Sequence, residues 1–263
     1  MTGPLRLEQD AALAVITLDR PDVLNAFDEA LTAALGKAVD ECARDASVRA
    51  VVISGAGRAF SAGQDLRDRR AMVEAGKDLN LGDELRRRYH PVIASIRAMR
   101  KPVIAAVNGV VAGAGLGIAI ACDVRVAAAS ASFRAAWSRV GLVPDAGSAY
   151  FLPRLVGWGR AMDMILGGEP VGADDALRIG LVTRVWSDDA FAREWRAYAT
   201  ALANGATEAF ALSKEGLNAS RQHDLASFLE VESGLQDRAG RTRDYAEGVQ
   251  AFTAKRPAKF EGR

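Results

Sequence analysis

KPVIAAVNGVVAGAGLGIAIACDVRVAAASASFRAAWSRVGLVPDAGS, residues 101–148, is the stretch on which the fold turns. Within it Val103-Ile104-Ala105-Ala106-Val107 is a short, partly β-branched apolar run. Pro102 precedes it and Asn108-Gly109 follows, which reads as a buried strand feeding a turn. Gly113, Gly115 and Gly117 then alternate with Ala114 and Leu116 as the chain enters an apolar helix predicted over Leu116 to Ala121. Glycines at a strand-to-helix junction let backbone N–H groups approach a ligand with no Cβ in the way, and the helix dipole there favours negative charge. Such a junction can hold an anion or oxyanion. It equally suits a helix that packs closely on a strand, and the loop by itself leaves both readings open. It is not a dinucleotide loop: the third glycine comes one residue early for G-x-G-x-x-G, and Asp123 comes too soon for the ribose-binding acid. No Gly-Lys-Ser/Thr triplet follows for a nucleotide phosphate.

Upstream, Gly57-Arg58-Ala59-Phe60-Ser61-Ala62-Gly63-Gln64-Asp65-Leu66 follows the strand Val51-Val52-Ile53, with a short helix predicted over Ser61 to Leu66. Together with KPVIAAVNG, AGAG and GLVPDAGS, in that order, it resembles the crotonase (enoyl-CoA hydratase/isomerase) superfamily. The resemblance covers the whole chain, through the tail Ala251-Phe252-Thr253-Ala254-Lys255-Arg256-Pro257. It implies an α/β fold, a spiral of β-β-α units over residues 1–195. A C-terminal helical region over 196–263 would serve trimerisation and completion of the coenzyme A site. In this family the last helices pack across subunits into trimers that pair as hexamers, so a homotrimer or homohexamer is expected.

The 263 residues suit one large α/β domain or a domain plus a short appendage, able to bury a core without staples. A formal net charge of +1 with 25% charged residues points to no nucleic-acid stripe and no acidic partner. Cys42 and Cys122 have no metal-ligand spacing and are too few for a disulfide framework. No apolar run approaches the length of a membrane span, and no export signal opens the chain. A cytoplasmic protein without membrane association is the expectation.

Leu13 to Asp19 and Ala50 to Ser54 read as strands, and Asp28 to Arg44 has helical spacing with Asp28 as N-cap. Arg67 to Tyr89 is polar and densely charged, which fits a solvated helix and loop. By the resemblance it also fits the variable lid that lines the acyl pocket. Helices are predicted near Tyr150 to Val156, Gly159 to Leu166 and Ala173 to Gly180. A strand follows at Leu181 to Val185, and the chain reads as helical from Asp189 onward.

What the resemblance implies for chemistry is an acyl thioester whose oxygen is held by two backbone N–H groups. By motif position these fall on Gln64 and Ala114, and one such donor is worth on the order of 3 kcal/mol of barrier. Coenzyme A would run along Val23, Leu24, Ala62, Asp65 and Leu66, with Phe252 and Lys255 near its nucleotide end. Trp137 and Tyr150, with the 67–89 segment, would wall the acyl pocket. Coenzyme A belongs to the substrate, and no separate cofactor or metal is implied. Hydratases of the superfamily carry two glutamates at positions that here hold Gly117 and Trp137, neither of which titrates near neutral pH.

Asp145, in Gly141-Leu142-Val143-Pro144-Asp145-Ala146-Gly147, is the carboxylate left. An Asp after Pro and before a helix is also a common N-cap. The resemblance places it as the single acid/base of the family's double-bond and ring isomerases. GLVPDAGSAYFLPRLVG, residues 141–157, looks especially like the ring-epoxide isomerases of phenylacetate breakdown. The expected reaction is ring 1,2-epoxyphenylacetyl-CoA to oxepin-CoA, with Δ3 to Δ2 enoyl-CoA isomerisation beside it. The alternatives are an enoyl-CoA hydratase on an unidentified acyl-CoA and a non-catalytic acyl-CoA- or RNA-binding member of the fold. His90 and His223 read as surface residues.

Overall fold

The computed structural model describes residues 3–76 and 79–263. Its strands form two sheets. The larger has β1 (Leu5–Asp10), β2 (Leu13–Leu18), β3 (Ala50–Gly55), β5 (Val103–Val107), β7 (Val124–Ala128) and β10 (Arg184–Trp186), in that spatial order. β1 and β2 form an antiparallel pair; every later pairing in this sheet is parallel. The smaller sheet has β4 (Ala59–Ser61), β6 (Val110–Ala112), β8 (Ser132–Arg134) and β9 (Pro170–Gly172), with β9 antiparallel to β8. Thus β3-β4, β5-β6 and β7-β8 each give one strand to the large sheet and the next to the small one before helices follow. The chain therefore winds as repeated β-β-α units.

The Asn108-Gly109 turn makes one of these sheet changes. Asn108 Oδ1 accepts from Gly55 N–H at 3.1 Å and Nδ2 donates to Gly57 and Ala59 carbonyls at 2.9 and 3.2 Å, tying β5 to the preceding unit. A parallel sheet is covered on both faces, so its strands run apolar throughout rather than alternating with polar residues. Val103, Ala105 and Val107 face the main core, and Ile104 and Ala106 face a second one.

Helix α1 (Glu29–Arg44) lies over the first face, and Asp28 caps it by accepting from Leu31 N–H at 2.8 Å. Of the expected lid, residues 67–89, residues 77 and 78 lie outside the described residues and the rest is largely helical: α2 (Arg67–Glu74), α3 (Leu81–Glu84) and a π-helical turn over Leu85–Tyr89, after which α4 (His90–Ala98) follows. His90 therefore opens a helix rather than lying in a loop, with its side chain exposed. The glycine helix α5 (Gly113–Ala121) begins three residues earlier than predicted, because Gly113 takes φ +49° and turns the chain directly out of β6. No helix forms over Ser61 to Leu66. Gln64 instead bridges Phe27 in extended conformation, with Phe27 N–H on the Gly63 carbonyl at 2.7 Å and Asp65 N–H on the Phe27 carbonyl at 2.9 Å.

The chain continues through α6 (Ser148–Val156), α7 (Trp158–Gly167) and α8 (Ala173–Arg178), and the strand expected at 181–185 is displaced to β10. Helix α9 (Asp188–Ala203) seals the second face with Phe191, Trp195, Ala199 and Ala203. The expected boundary at 195/196 thus falls inside one continuous helix that packs along a single sheet. The helical region proper begins after it with α10 (Thr207–Ala219), α11 (Leu225–Gly240) and α12 (Arg243–Thr253). Asp123 joins this region to the core, accepting from Val103 N–H at 2.9 Å and Lys214 Nζ at 2.8 Å. No buried residue occurs along α11, and Leu225, Leu229, Val249 and Phe252 stand exposed. Among the described residues no helix is long and apolar enough to cross a membrane, and no group of three or more His, Cys, Asp or Glu could hold a metal ion.

Candidate active site

Ala62 and Gln64 stand on the loop leaving β4, Gly113 and Ala114 at the start of α5, and Trp137 through Asp145 on the loop after β8. These three loops, each at a corresponding place in successive units, meet at a cavity of about 410 Å³. The first two touch because Gly63 has no side chain: a Cβ there would stand 2.8 Å from the Ala112 carbonyl oxygen and 3.4 Å from Ala114 N. Gly63 also needs φ +93°, which favours glycine. Ala114 N–H lies in the first turn of α5, where a helix offers no acceptor, and Ala112 supplies no side-chain cap. Gln64 N–H takes no part in the bridge to Phe27, whose bonds use the N–H groups of Phe27 and Asp65. Among the described residues neither N–H has a backbone partner outside its own element, and both residues line the cavity beside the positive end of a helix.

Asp145 enters from the opposite loop. Its carboxylate does not cap α6: the N-cap is Gly147, with no side-chain bond, and Ser148 N–H is taken by the Asp145 backbone carbonyl at 2.8 Å. The side chain is held by Trp137, whose Nε1–H donates to Oδ1 at 2.8 Å. Ala146, the next residue, takes φ +46°, a left-handed conformation costing on the order of 1 kcal/mol in a residue other than glycine. Burial pushes the Asp145 carboxyl above the ordinary carboxylate range; the indole N–H opposes that shift and the charge of Glu84 adds to it.

The same loop occupies the space beside Gly117. A Cβ on residue 117 would lie 2.6 Å from Ala146 Cβ and 3.0 Å from both the Ala146 carbonyl and Ser148 Oγ, so no side chain fits there unless the Asp145 loop moves. The two positions that carry glutamates in the hydratase pattern therefore hold, in this chain, a glycine covered by that loop and the tryptophan that fixes its carboxylate.

The rest of the cavity is mostly apolar, with Leu66, Leu79, Leu85 and Val143 among its walls. Two polar residues in it were not among the expected site residues. Tyr89 donates its hydroxyl to Gln64 Oε1 at 2.5 Å, and burial pushes this phenol well above its usual range. Glu84, at the end of α3, lines the cavity and pairs with Arg88, which also donates to Thr32 Oγ1 at 3.2 Å. A charged stretch read as solvated thus turns two acid–base side chains inward. The period of three to four across Leu81, Leu85 and Tyr89 was the available hint.

Other expected contacts lie elsewhere. Tyr150 does not line the cavity; its ring is half-exposed, 3.8 Å beneath the Arg154 guanidinium and edge-on to Phe151. Asp65 is buried and engaged by Arg67 at 2.6 and 2.9 Å and by Arg20 at 3.3 Å, and the Arg67 bonds above all hold its carboxyl far below the usual range. Val23 and Leu24 form the turn whose Leu24 carbonyl accepts Ala62 N–H at 2.8 Å. Phe252 lines a separate apolar cavity with Tyr245 and Phe260, and Lys255 follows the end of α12.

Residues 8–263 match the family model described as enoyl-CoA hydratase/isomerase. The chain is 46% identical to a Rhodobacter capsulatus protein named "Probable enoyl-CoA hydratase", over 98% of each. It is 39% identical to the Escherichia coli 1,2-epoxyphenylacetyl-CoA isomerase, over 97% of each. Among solved structures, that of an enoyl-CoA hydratase from Bacillus anthracis superposes with a TM-score of 0.91 at 30% identity, covering 99% of this chain and 100% of the other.

Proposed function

Because the chain belongs to the enoyl-CoA hydratase/isomerase family, we propose that it moves a proton on an acyl-CoA thioester, with Gln64 and Ala114 N–H groups on the thioester oxygen and Asp145 as proton carrier. The observation that carries this reading is the Asp145 carboxylate itself, free of any capping role and fixed by Trp137 Nε1–H at 2.8 Å. Loss of a proton from the α carbon sends charge onto the thioester oxygen, where preorganised donors stabilise it without rearranging. One carboxylate takes that proton and returns it at another carbon, which is isomerisation. A Δ3-enoyl-CoA and ring 1,2-epoxyphenylacetyl-CoA are the substrates this reading favours, the second supported by likeness to the E. coli isomerase. Turnover of both, with solvent deuterium entering the substrate, tests it; no turnover and no exchange in any acyl-CoA would sink it.

Hydration is the second reading, and the names of the relatives favour it over isomerisation: the 46%-identical protein is called a hydratase and the 39%-identical one an isomerase. Crotonyl-CoA separates the two, since hydration gives 3-hydroxybutyryl-CoA. A non-catalytic RNA-binding role has no support from a net charge of +1. The exposed apolar side chains of α11 and α12 support assembly of several copies as a trimer or hexamer. In that arrangement Phe252 and Lys255 would complete the nucleotide end of a neighbouring coenzyme A site, with Val23, Leu24 and Asp65 along its length.

A further inference from the structure

We infer that Glu84 is a second catalytic carboxylate, which takes a proton from water as the water adds to an α,β-unsaturated acyl thioester. The inference rests on the enolate reading above and supplies the group that hydration by this chain lacks at positions 117 and 137.

Glu84 belongs to two cavities at once. It lines the apolar chamber that holds Asp145, and also a neighbouring chamber of about 700 Å³ bounded by Asp28, Thr32, Asp65, Asn80, Arg87 and Arg88. Gln64 and Leu79 are shared in the same way, so these residues form the partition. The second chamber is rich in charged and polar side chains that favour water; the first excludes it except at its few polar groups. A carboxylate on the partition can hold a water at the edge of the apolar chamber that Asp145 also lines.

The surroundings divide the two roles. Glu84 has the Arg88 guanidinium on its carboxylate, and Arg88 is itself tied to Thr32 of α1. Among the described residues no cation lies on Asp145, whose partner is the neutral indole N–H. The arginine on Glu84 suits the carboxylate that receives the water proton, and the apolar setting of Asp145 suits the one that gives its proton up. The raised proton affinity of Asp145, to which the Glu84 charge contributes, agrees with Asp145 as the donor.

Water oxygen bonds to the β carbon, one water proton passes to the Glu84 carboxylate, and the alkene electron pair moves to the thioester oxygen held by Gln64 and Ala114 N–H. The enolate then takes the proton of Asp145 at the α carbon. Glu84 ends protonated and Asp145 ionised, and proton return through solvent restores both. The net change is addition of one water, giving a 3-hydroxyacyl thioester.

The test uses the full-length protein and two assays: hydration of crotonyl-CoA, and deuterium uptake from D₂O at the α carbon of an acyl-CoA. Glu84→Gln is expected to lower hydration by about 10²-fold more than it lowers exchange. Glu84→Asp keeps the charge but withdraws it by one methylene, and is expected to fall between wild type and Glu84→Gln. It also serves if Glu84→Gln does not fold. Exchange without hydration in the wild type, equal hydration by wild type and a folded variant, or equal loss of both activities in either variant would each overturn the assignment. Absence of both activities in the wild type would remove the enolate reading, and this assignment with it.

Discussion

Trp137 Nε1–H donates to Asp145 Oδ1 at 2.8 Å, across a loop in which the eight-residue separation is closed by a left-handed turn. The indole is buried, so its orientation is set by the core and not by solvent. A carboxylate held this way has its direction fixed before anything binds.

Trp137→Phe keeps most of the buried ring and removes the donor. A hydrogen bond to a charged group contributes roughly 1.5–3 kcal/mol, so kcat/KM for isomerisation is expected to fall by about tenfold or more. The N–H lowers the pKa of Asp145, and its loss raises that pKa further. Because the first step needs the ionised carboxylate, the acid limb of the pH–rate profile should move to higher pH. A profile that falls in height without moving would mean that Trp137 serves packing alone.

Asp145→Asn is expected to reduce isomerisation and solvent exchange by about 10² to 10⁴. Stability should move the other way. The folded-state pKa of Asp145 is raised by burial, so its stabilising contribution is complete below the ordinary carboxylate range and is lost as pH rises through the folded value. Above that folded value the wild type carries a buried charge that the amide does not. The variant should gain on the wild type in melting temperature as pH rises, with the gap closing on acidification. Thermal melts across pH check this sign.

Gly117→Glu restores the hydratase-like residue by name but not by geometry. Its Cβ meets Ala146 Cβ at 2.6 Å, and overpacking of this kind typically costs 1–3 kcal/mol. The expected result is a lower melting temperature with no gain in crotonyl-CoA hydration, together with loss of Asp145-dependent exchange as the loop shifts. Faster hydration would show that the loop yields readily.

Leu229→Glu, on the exposed side of α11, tests assembly. If this face meets another copy, light scattering should report smaller particles and the apolar-surface dye signal should rise. A variant of unchanged mass would place the contact elsewhere.

The large-sheet strands were legible because burial on both faces leaves an unbroken apolar run, as in Val103 to Val107. Helix α1 was legible through the Asp28 cap. The smaller sheet was not, since β4, β6, β8 and β9 are each three residues long and show no period. Ser61 to Leu66 looked helical locally and became extended through a long-range bridge to Phe27, which no window around residue 64 contains. The choice between cap and free carboxylate at Asp145 depended on where α6 begins, and Gly147 takes the cap position. Glu84 was hidden for the opposite reason: its charged neighbours imply solvent, while its position on the turn before Leu85 directs it to the cavity.

The placement of α9 bears on how the chain is made. Leu13, Val15, Ala50, Val52, Ile104, Ala106, Val126 and Ala128 present one face of the large sheet to Phe191, Trp195, Ala199 and Ala203. A chain synthesised through Ser187 contains all ten strands yet leaves that face bare, and parallel pairings between distant segments form slowly. The last stretch to leave the ribosome before residue 203 therefore decides whether the sheet is sealed or meets another chain, and a product ending at Ser187 is expected to aggregate where one ending after Ala203 does not.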